Sequence, residues 1–330
     1  MSKTRRPYLD LPDGHRLELP ADGGLDASWH VLSKAEITAL NAALATGRPL
    51  LVRGEPGVGK SQLARAAAVA FGRTLVHQTV DNLTETHDLL WTFDAVARLA
   101  EAQVMGSIGA VGPDDRARVV EQRLEVRRFV QPGALWWALS PASAYEQAQR
   151  GGYGQCVVSR VDAPAYAAGT VVLIDEIDKA DPSVPNGLLD ALGHGGFNVR
   201  DVCRVSAPAD AAPPLIVITT NEERALSDAF LRRCLVLHLG LPEGEALNAR
   251  LIEIGAVHFP KADPGLLAEA AELLARDRAA LQARHLSPPG LAEYLDLVRA
   301  VVGQGGGRWK DLLAAVRPLA LQKHPPERRR

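Results

Sequence analysis

The stretch "LLVRGEPGVGKSQLARAAA", Leu50 to Ala68, decides how the rest of the chain is read. Its centre, Gly54-Glu55-Pro56-Gly57-Val58-Gly59-Lys60-Ser61, fits the pattern G-x-x-x-x-G-K-S/T, with Gln62 following. A short apolar strand leads in and a helix-forming run leads out, which is the context the pattern requires. Glycines at 54, 57 and 59 let backbone approach oxygens that a Cβ would exclude, so several N–H groups face an anion. The helix that opens there adds its positive N-terminal field. Lys60 is placed to neutralise the β- and γ-phosphates of a nucleotide, and the Ser61 hydroxyl to ligate Mg²⁺. A plain glycine turn before a helix is the competing reading. The Lys-Ser pair and the preceding strand decide against it.

Outward from this loop, "RTLVHQTV" (Arg73 to Val80), "TVVLIDE" (Thr170 to Glu176) and "PLIVITTN" (Pro214 to Asn221) read as further strands. Val171 to Ile174 are apolar without alternation, as expected of a parallel strand covered on both faces. Strands interleaved with helical patterns predict an α/β three-layer domain with a parallel central sheet. Ahead of it, "SKAEITALNAALATGRP" predicts a helix capped by Ser33 and Glu36 and stopped by Gly47. Beyond about residue 240 the strand pattern ends. Asp263-Pro264 opens one helix, "SPPGLAEYLDLVRAVV" supplies another, and "GQGGGR" separates it from the last. The expected division is an N-terminal arm over 1–28, an αβα core over 29–239 and a small all-helical domain over 240–330.

Three further segments carry chemistry. In "VVLIDEIDKA" an apolar run delivers Asp175 and Glu176 to the C-terminal edge of a sheet, where open α/β folds bind ligands. Asp175 suits the Mg²⁺ shell, and Glu176 suits orienting and polarising an attacking water. Asn221 closes the strand "LIVITTN", either as a hydrogen-bond partner of that water or the γ-phosphate, or as an ordinary strand-ending turn residue. Arg232 and Arg233 in "LSDAFLRRCLVLHL" form either a solvated turn or an arginine finger for a neighbour's γ-phosphate.

Bulk properties narrow the class. The 330 residues are 47% hydrophobic and 23% charged, with a formal net charge of -2, which gives no support to a strongly nucleic-acid-binding surface. Cys156, Cys203 and Cys234 match no metal or redox pattern, and the histidines form no H-x-x-x-H pair. Arg5-Arg6 has no apolar run behind it, and no apolar run approaches the ~18 residues that span a bilayer. A cytoplasmic protein is expected. "PDDRARVVEQRLEVRRF" mixes both signs of charge, including Asp114, Asp115, Glu121 and Glu125, and reads as a salt-bridged face. The terminal "ERRR" reads as a tail.

Taken in order, "GEPGVGKS", "LIDEIDKADP", "VITTNEE" and "AFLRRC", followed by a helical domain, resemble the AAA+ ATPases, and within them the MoxR-like group. The resemblance runs from "HVLSKAEITALNAALATGRPLLVRG" to the last helices. It implies a P-loop αβα domain with a helical lid that binds and hydrolyses ATP with Mg²⁺. Lys60 and Ser61 match the Walker A lysine and hydroxyl, Asp175 and Glu176 the Walker B pair, and Asn221 sensor 1. Arg233 matches the finger, with Arg232 as second candidate, and His30 and Val31 match a stretch that contacts adenine. The family forms rings, expected here as a hexamer, and remodels protein partners in a chaperone-like way. A von Willebrand A-domain protein is the expected kind of client.

One departure is that Pro289 in "RHLSPPGLAEYL" stands where a lid arginine, sensor 2, is usual, with Arg284 as a nearby substitute. Residues 81–169 exceed what one strand-helix unit needs and predict an insert. "FVQPGALWWALSP" is the candidate for part of it, and Trp136 and Trp137 read either as exposed client contacts or as core. Two other functions share the motifs: a nucleic-acid-acting motor, and a nucleotide-gated scaffold or sensor in a defence or signalling system.

Overall fold

The computed structural model describes residues 8–21, 25–107, 113–151, 168–199, 202–209, 211–305 and 309–321. Cys156, Arg5-Arg6 and the terminal ERRR lie outside the described residues. The chain opens with β1 (His15–Leu19) and β2 (Ser28–Leu32), then α1 (Lys34–Thr46), β3 (Leu50–Arg53), α2 (Lys60–Phe71) and β4 (Thr74–Thr79). Next come β5 (Trp91–Phe93), α3 (Ala95–Ser107), α4 (Pro113–Arg123), β6 (Val130–Pro132), α5 (Ala134–Leu139) and α6 (Pro141–Gly151). Then follow β7 (Thr170–Asp175), α7 (Ser183–Gly193), β8 (Gly196–Val199), β9 (Cys203–Ser206), β10 (Leu215–Thr220), α8 (Asp228–Arg233) and β11 (Leu235–His238). Four helices end it: α9 (Glu245–His258), α10 (Pro264–Gln282), α11 (Leu291–Gly303) and α12 (Trp309–Leu321).

Five strands form one parallel sheet in the order β11-β3-β10-β7-β4. Because strand side chains alternate between faces, each of its apolar strands feeds two cores. Leu50, Val52, Val171, Leu173, Leu215 and Val217 pack on one face with α1 and α2. Leu51, Val172, Ile174, Ile216 and Ile218 pack on the other with α5 and α7. This double burial is why "VVLI" and "LIVI" show no polar alternation. The four last helices bury a separate core around Leu251, Leu274, Tyr294 and Leu297.

Local signals acted where they were strongest. Ser33 accepts from the Glu36 N–H and Glu36 returns the bond, closing a capping box, while Gly47 ends α1 at φ 69°. Asp263 caps α10 with Pro264 in its first turn. The segment expected to be a loose arm instead contributes β1, which pairs antiparallel with β2 and fully buries Leu19. Burial against the α1–α2 face supplies the order that the weak local pattern did not announce.

The extra length before β7 holds β5 and β6, paired antiparallel, with α3 and α4 between them. Of the two readings of the tryptophan pair, the structure gives the core one. Trp136 and Trp137 are 1% and 4% exposed, in a short helix packed on the sheet. Trp136 donates its indole N–H to Ser143 Oγ at 2.7 Å and meets Phe197 edge to face. Of the charged segment, Arg123 pairs with Glu101 at 3.1 Å. Among the described residues, no helix is long and apolar enough to cross a membrane.

Candidate active site

The strand order positions the site. β10 lies between β3, which feeds the glycine loop, and β7, which ends in Asp175, and all three run the same way. Their C-terminal tips therefore bring the loop, the Asp175-Glu176 pair and Asn221 to one edge. A cavity of about 540 Å³ opens there. It is lined by Pro56 to Gln62, Asp175, Glu176, Asn221, His30 and Val31.

The loop geometry requires its glycines. Gly54, Gly57 and Gly59 have φ of 152°, 76° and 101°. A Cβ on Gly54 would sit 2.0 Å from the Leu239 carbonyl oxygen, and one on Gly57 3.1 Å from Ala292 Cβ. Lys60 opens α2 and is buried, its ammonium donating to the carbonyls of Gly54 at 2.8 Å and Glu55 at 2.9 Å. Burial lowers its pKa, against the pull of the carboxylates of Asp175, Asp178, Glu176 and Glu222. A cation wrapped over its own loop, above a cradle too tight for Cβ atoms, suits a polyanion that the ammonium can turn to meet.

Asp175 is the hub of the polar network. Ser61 Oγ lies 2.9 Å from both its carboxylate oxygens, Thr219 donates its hydroxyl to Oδ1, and His77 Nε2 lies 3.5 Å from Oδ2. Burial favours the protonated acid, but the bonds from His77, Thr219 and Ser61 outweigh it, so the carboxyl stays below its ordinary range. An ionised carboxylate beside a hydroxyl is an oxygen donor set that suits Mg²⁺.

Glu176 adopts the left-handed region at φ 61°, its N–H donating to Thr219 Oγ1 at 2.9 Å. That turn sends its carboxylate toward Asn221, whose Nδ2 donates to Oε1 at 3.0 Å, while Lys179 Nζ lies 2.5 Å from Oε2. A sparsely populated backbone at such a position is a common mark of a functional site. Part of the remaining wall is formed by His30, Val31, Ile254, His258, Leu291 and Leu295. It is mostly apolar, as a planar base requires. Arg250 Nη2 donates to the Val31 carbonyl at 3.0 Å, tying α9 to the β1–β2 hairpin.

The structure does not bring Arg232 and Arg233 to this cavity. Both are exposed at the end of α8, just before β11 begins. β11 runs parallel to β3, so they sit a strand's length, roughly 10 Å or more, from the glycine loop. Arg48 bonds the carbonyls of both, with Nε 3.1 Å from that of Arg233. Arg284 is exposed and does not line the cavity.

Sequence reasoning missed Thr219, His77 and Lys179, and the lid residues Ile254, His258, Leu291 and Leu295. It also missed Arg278, whose Nη2 lies 2.6 Å from Glu55 Oε2. Arg278 had a legible signal. It extends the stripe Leu266, Ala270 and Leu274 by one more step of four, a charge on an apolar face.

A five-stranded parallel sheet of this order, with a glycine loop, an acidic pair and a polar strand tip at one edge, defines a P-loop AAA+ fold with a C-terminal helical region. The profile of the AAA domain (dynein-related subfamily) matches residues 49–234, more than half the chain, and the chain belongs to that family. No protein of curated function matches it. Among solved structures it is similar to the RuvB Holliday junction branch migration motor of Thermotoga maritima, at 16% identity and a TM-score of 0.41. That similarity covers 87% of this chain and 67% of the other. A protein of Cytophaga hutchinsonii described as an ATPase is similar at 14% identity and a TM-score of 0.37, over 87% and 79% of the two chains.

Proposed function

We propose that this chain is a MoxR-like AAA+ ATPase that binds ATP with Mg²⁺ in the cavity, hydrolyses it within a ring of its own copies, and remodels a protein partner. What supports the reading most is the convergence of Lys60, Ser61, Asp175, Glu176 and Asn221, from three strand tips, on one cavity with an apolar wall. Lys60 draws the phosphates into the loop. Glu176, oriented by Asn221, takes the proton of the attacking water. Mg²⁺, held by Ser61 and Asp175, supplies charge neutralisation of phosphate oxygens when bound. His30 and Val31 contact the base. Arg233 serves the cavity of a neighbouring copy, since it stands at the opposite edge from its own, with Arg232 as second candidate. The net charge of -2 favours a protein client, such as a von Willebrand A-domain protein, over nucleic acid.

The test is phosphate release from Mg·ATP by the full chain, beside its thermal melt with and without nucleotide. Nucleotide at a hundredfold excess over Kd should stabilise the protein by about 2.7 kcal/mol, and Lys60→Ala should lose both the stabilisation and the turnover. A parent that releases no phosphate, or a Lys60→Ala variant that releases it at the parent's rate, would sink the reading.

A further inference from the structure

Three consecutive residues of the glycine loop are each met by the C-terminal helical domain. Glu55 Oε2 is 2.6 Å from Arg278 Nη2. Gly290 lies so close to the Pro56 carbonyl that a Cβ there would come within 3.1 Å of its oxygen. The Ala292 N–H donates to the Gly57 carbonyl at 3.0 Å. Of these contacts only the first is between charges. Arg278 has a side chain 9% exposed, and its other guanidinium bond goes to the Pro289 carbonyl at 3.1 Å. A guanidinium so enclosed depends on its carboxylate, and the fork geometry makes the pair sensitive to small displacements of Glu55.

Glu55 is also where Lys60 leans, through the Glu55 carbonyl at 2.9 Å. Phosphates entering the loop compete for that ammonium, so the carbonyls of Gly54 and Glu55 are the part of the loop that changes partners. Arg278 itself does not line the cavity, nor does any residue of α10. Its polar contacts toward the loop run to Glu55 and to the chain around Pro289.

We infer that the Glu55–Arg278 ion pair is the link through which occupancy of the glycine loop sets the position of the helical domain. Arg278 is thus a positioning residue that reads the loop instead of the ligand. The inference rests on the nucleotide-binding reading above. It also accounts for Pro289, a residue without a side-chain donor: its carbonyl braces Arg278 where the sequence led us to look for an arginine.

Amide hydrogen exchange on the full chain tests it, with and without Mg·ADP at concentrations that saturate each variant in a fluorescent-nucleotide titration. Because α10 lines no part of the cavity, exchange over Arg276 to Gln282 is free of direct contact with ligand, and the variants separate the ion pair from the packing of α10 on α9 and α11. In the parent, nucleotide should change that exchange rate by about threefold or more. Glu55→Gln, isosteric and on a half-exposed side chain, should bring the ratio close to one; Arg278→Gln should match it, and the double variant should add nothing. Arg278→Lys, keeping charge without the fork, should retain part of the response. A response that persists in Glu55→Gln, or adds in the double variant, or is missing from a parent that binds nucleotide, overturns the link. A parent that binds no nucleotide in the titration overturns the functional reading, and the link with it.

Discussion

Asn221 and Glu176 come from different strands, 45 positions apart, yet the amide of one donates to the carboxylate of the other at 3.0 Å. The bond exists because β10 and β7 are neighbours in register, Ile218 opposite Ile174, so the residues just past their ends meet. Lys179 occupies the second carboxylate oxygen. Both oxygens of Glu176 are therefore directed before any ligand arrives.

Glu176→Gln should keep the bond from Asn221, since the Gln carbonyl still accepts it, while losing the Lys179 contact and removing the proton acceptor. Turnover should fall by roughly 10²–10⁴-fold with nucleotide still bound. Steady-state phosphate release beside equilibrium nucleotide binding checks it, and near-parental turnover would reassign the base.

Arg233 does not line the candidate cavity of its own copy, so defects at the two ends of the sheet should complement. Arg233→Ala and Lys60→Ala, each inactive alone, should regain a measurable fraction of activity when mixed, because one kind of mixed interface carries both intact groups. Persistent inactivity of the mixture, with both variants shown to co-assemble by light scattering, would argue against a finger acting between copies.

Trp136→Ala separates core from client contact. A tryptophan 1% exposed with a satisfied indole N–H should cost about 3–5 kcal/mol of stability when truncated. Denaturant melts measure this directly. A cost of a few tenths would mean that the side chain is not packed as described.

Glu36 gives a pH signature. Burial works against its ionisation, but the His30 ring at 3.1 Å and the Ser33 donors outweigh that, and its pKa falls below the ordinary 4.5. A depressed carboxyl stabilises the fold above its unfolded value, and that contribution is lost as pH falls through the folded value. Glu36→Gln should thus cost about 1–2 kcal/mol at neutral pH, and the gap to the parent should close as pH drops below 4.5. Urea melts across that range test it; a gap that widens in acid would reverse the sign.

The glycine loop and the strand-tip residues Asp175, Glu176 and Asn221 were legible because their spacing is fixed by backbone geometry. A glycine loop followed by Lys60-Ser61 leaves few alternatives, and the apolar runs before Asp175 and Asn221 announce buried parallel strands. The part of the cavity wall that the helical domain adds beside His30 and Val31 was not legible. Ile254, Leu291 and Leu295 are ordinary members of amphipathic helices, and only the docking of one domain on another turns them toward a cavity. The β1 strand was hidden for a similar reason, since its partner β2 and the α1–α2 face supply its order. Trp136 and Trp137 were ambiguous because so short an apolar run, Ala134 to Leu139, carries no polar face to mark which side is buried. Both are buried because α5 is enclosed between the sheet and neighbouring segments.

The position of β10 restricts how this chain can drift in length. Thr219 bonds Asp175 and the Glu176 backbone, and Asn221 stands two residues on. A strand's side chains switch sides at each step, so one residue gained or lost within Leu215–Thr220 would turn this whole row inside out. Indels of a residue or two should therefore be tolerated around α3 and α4, and be absent from the middle of the sheet.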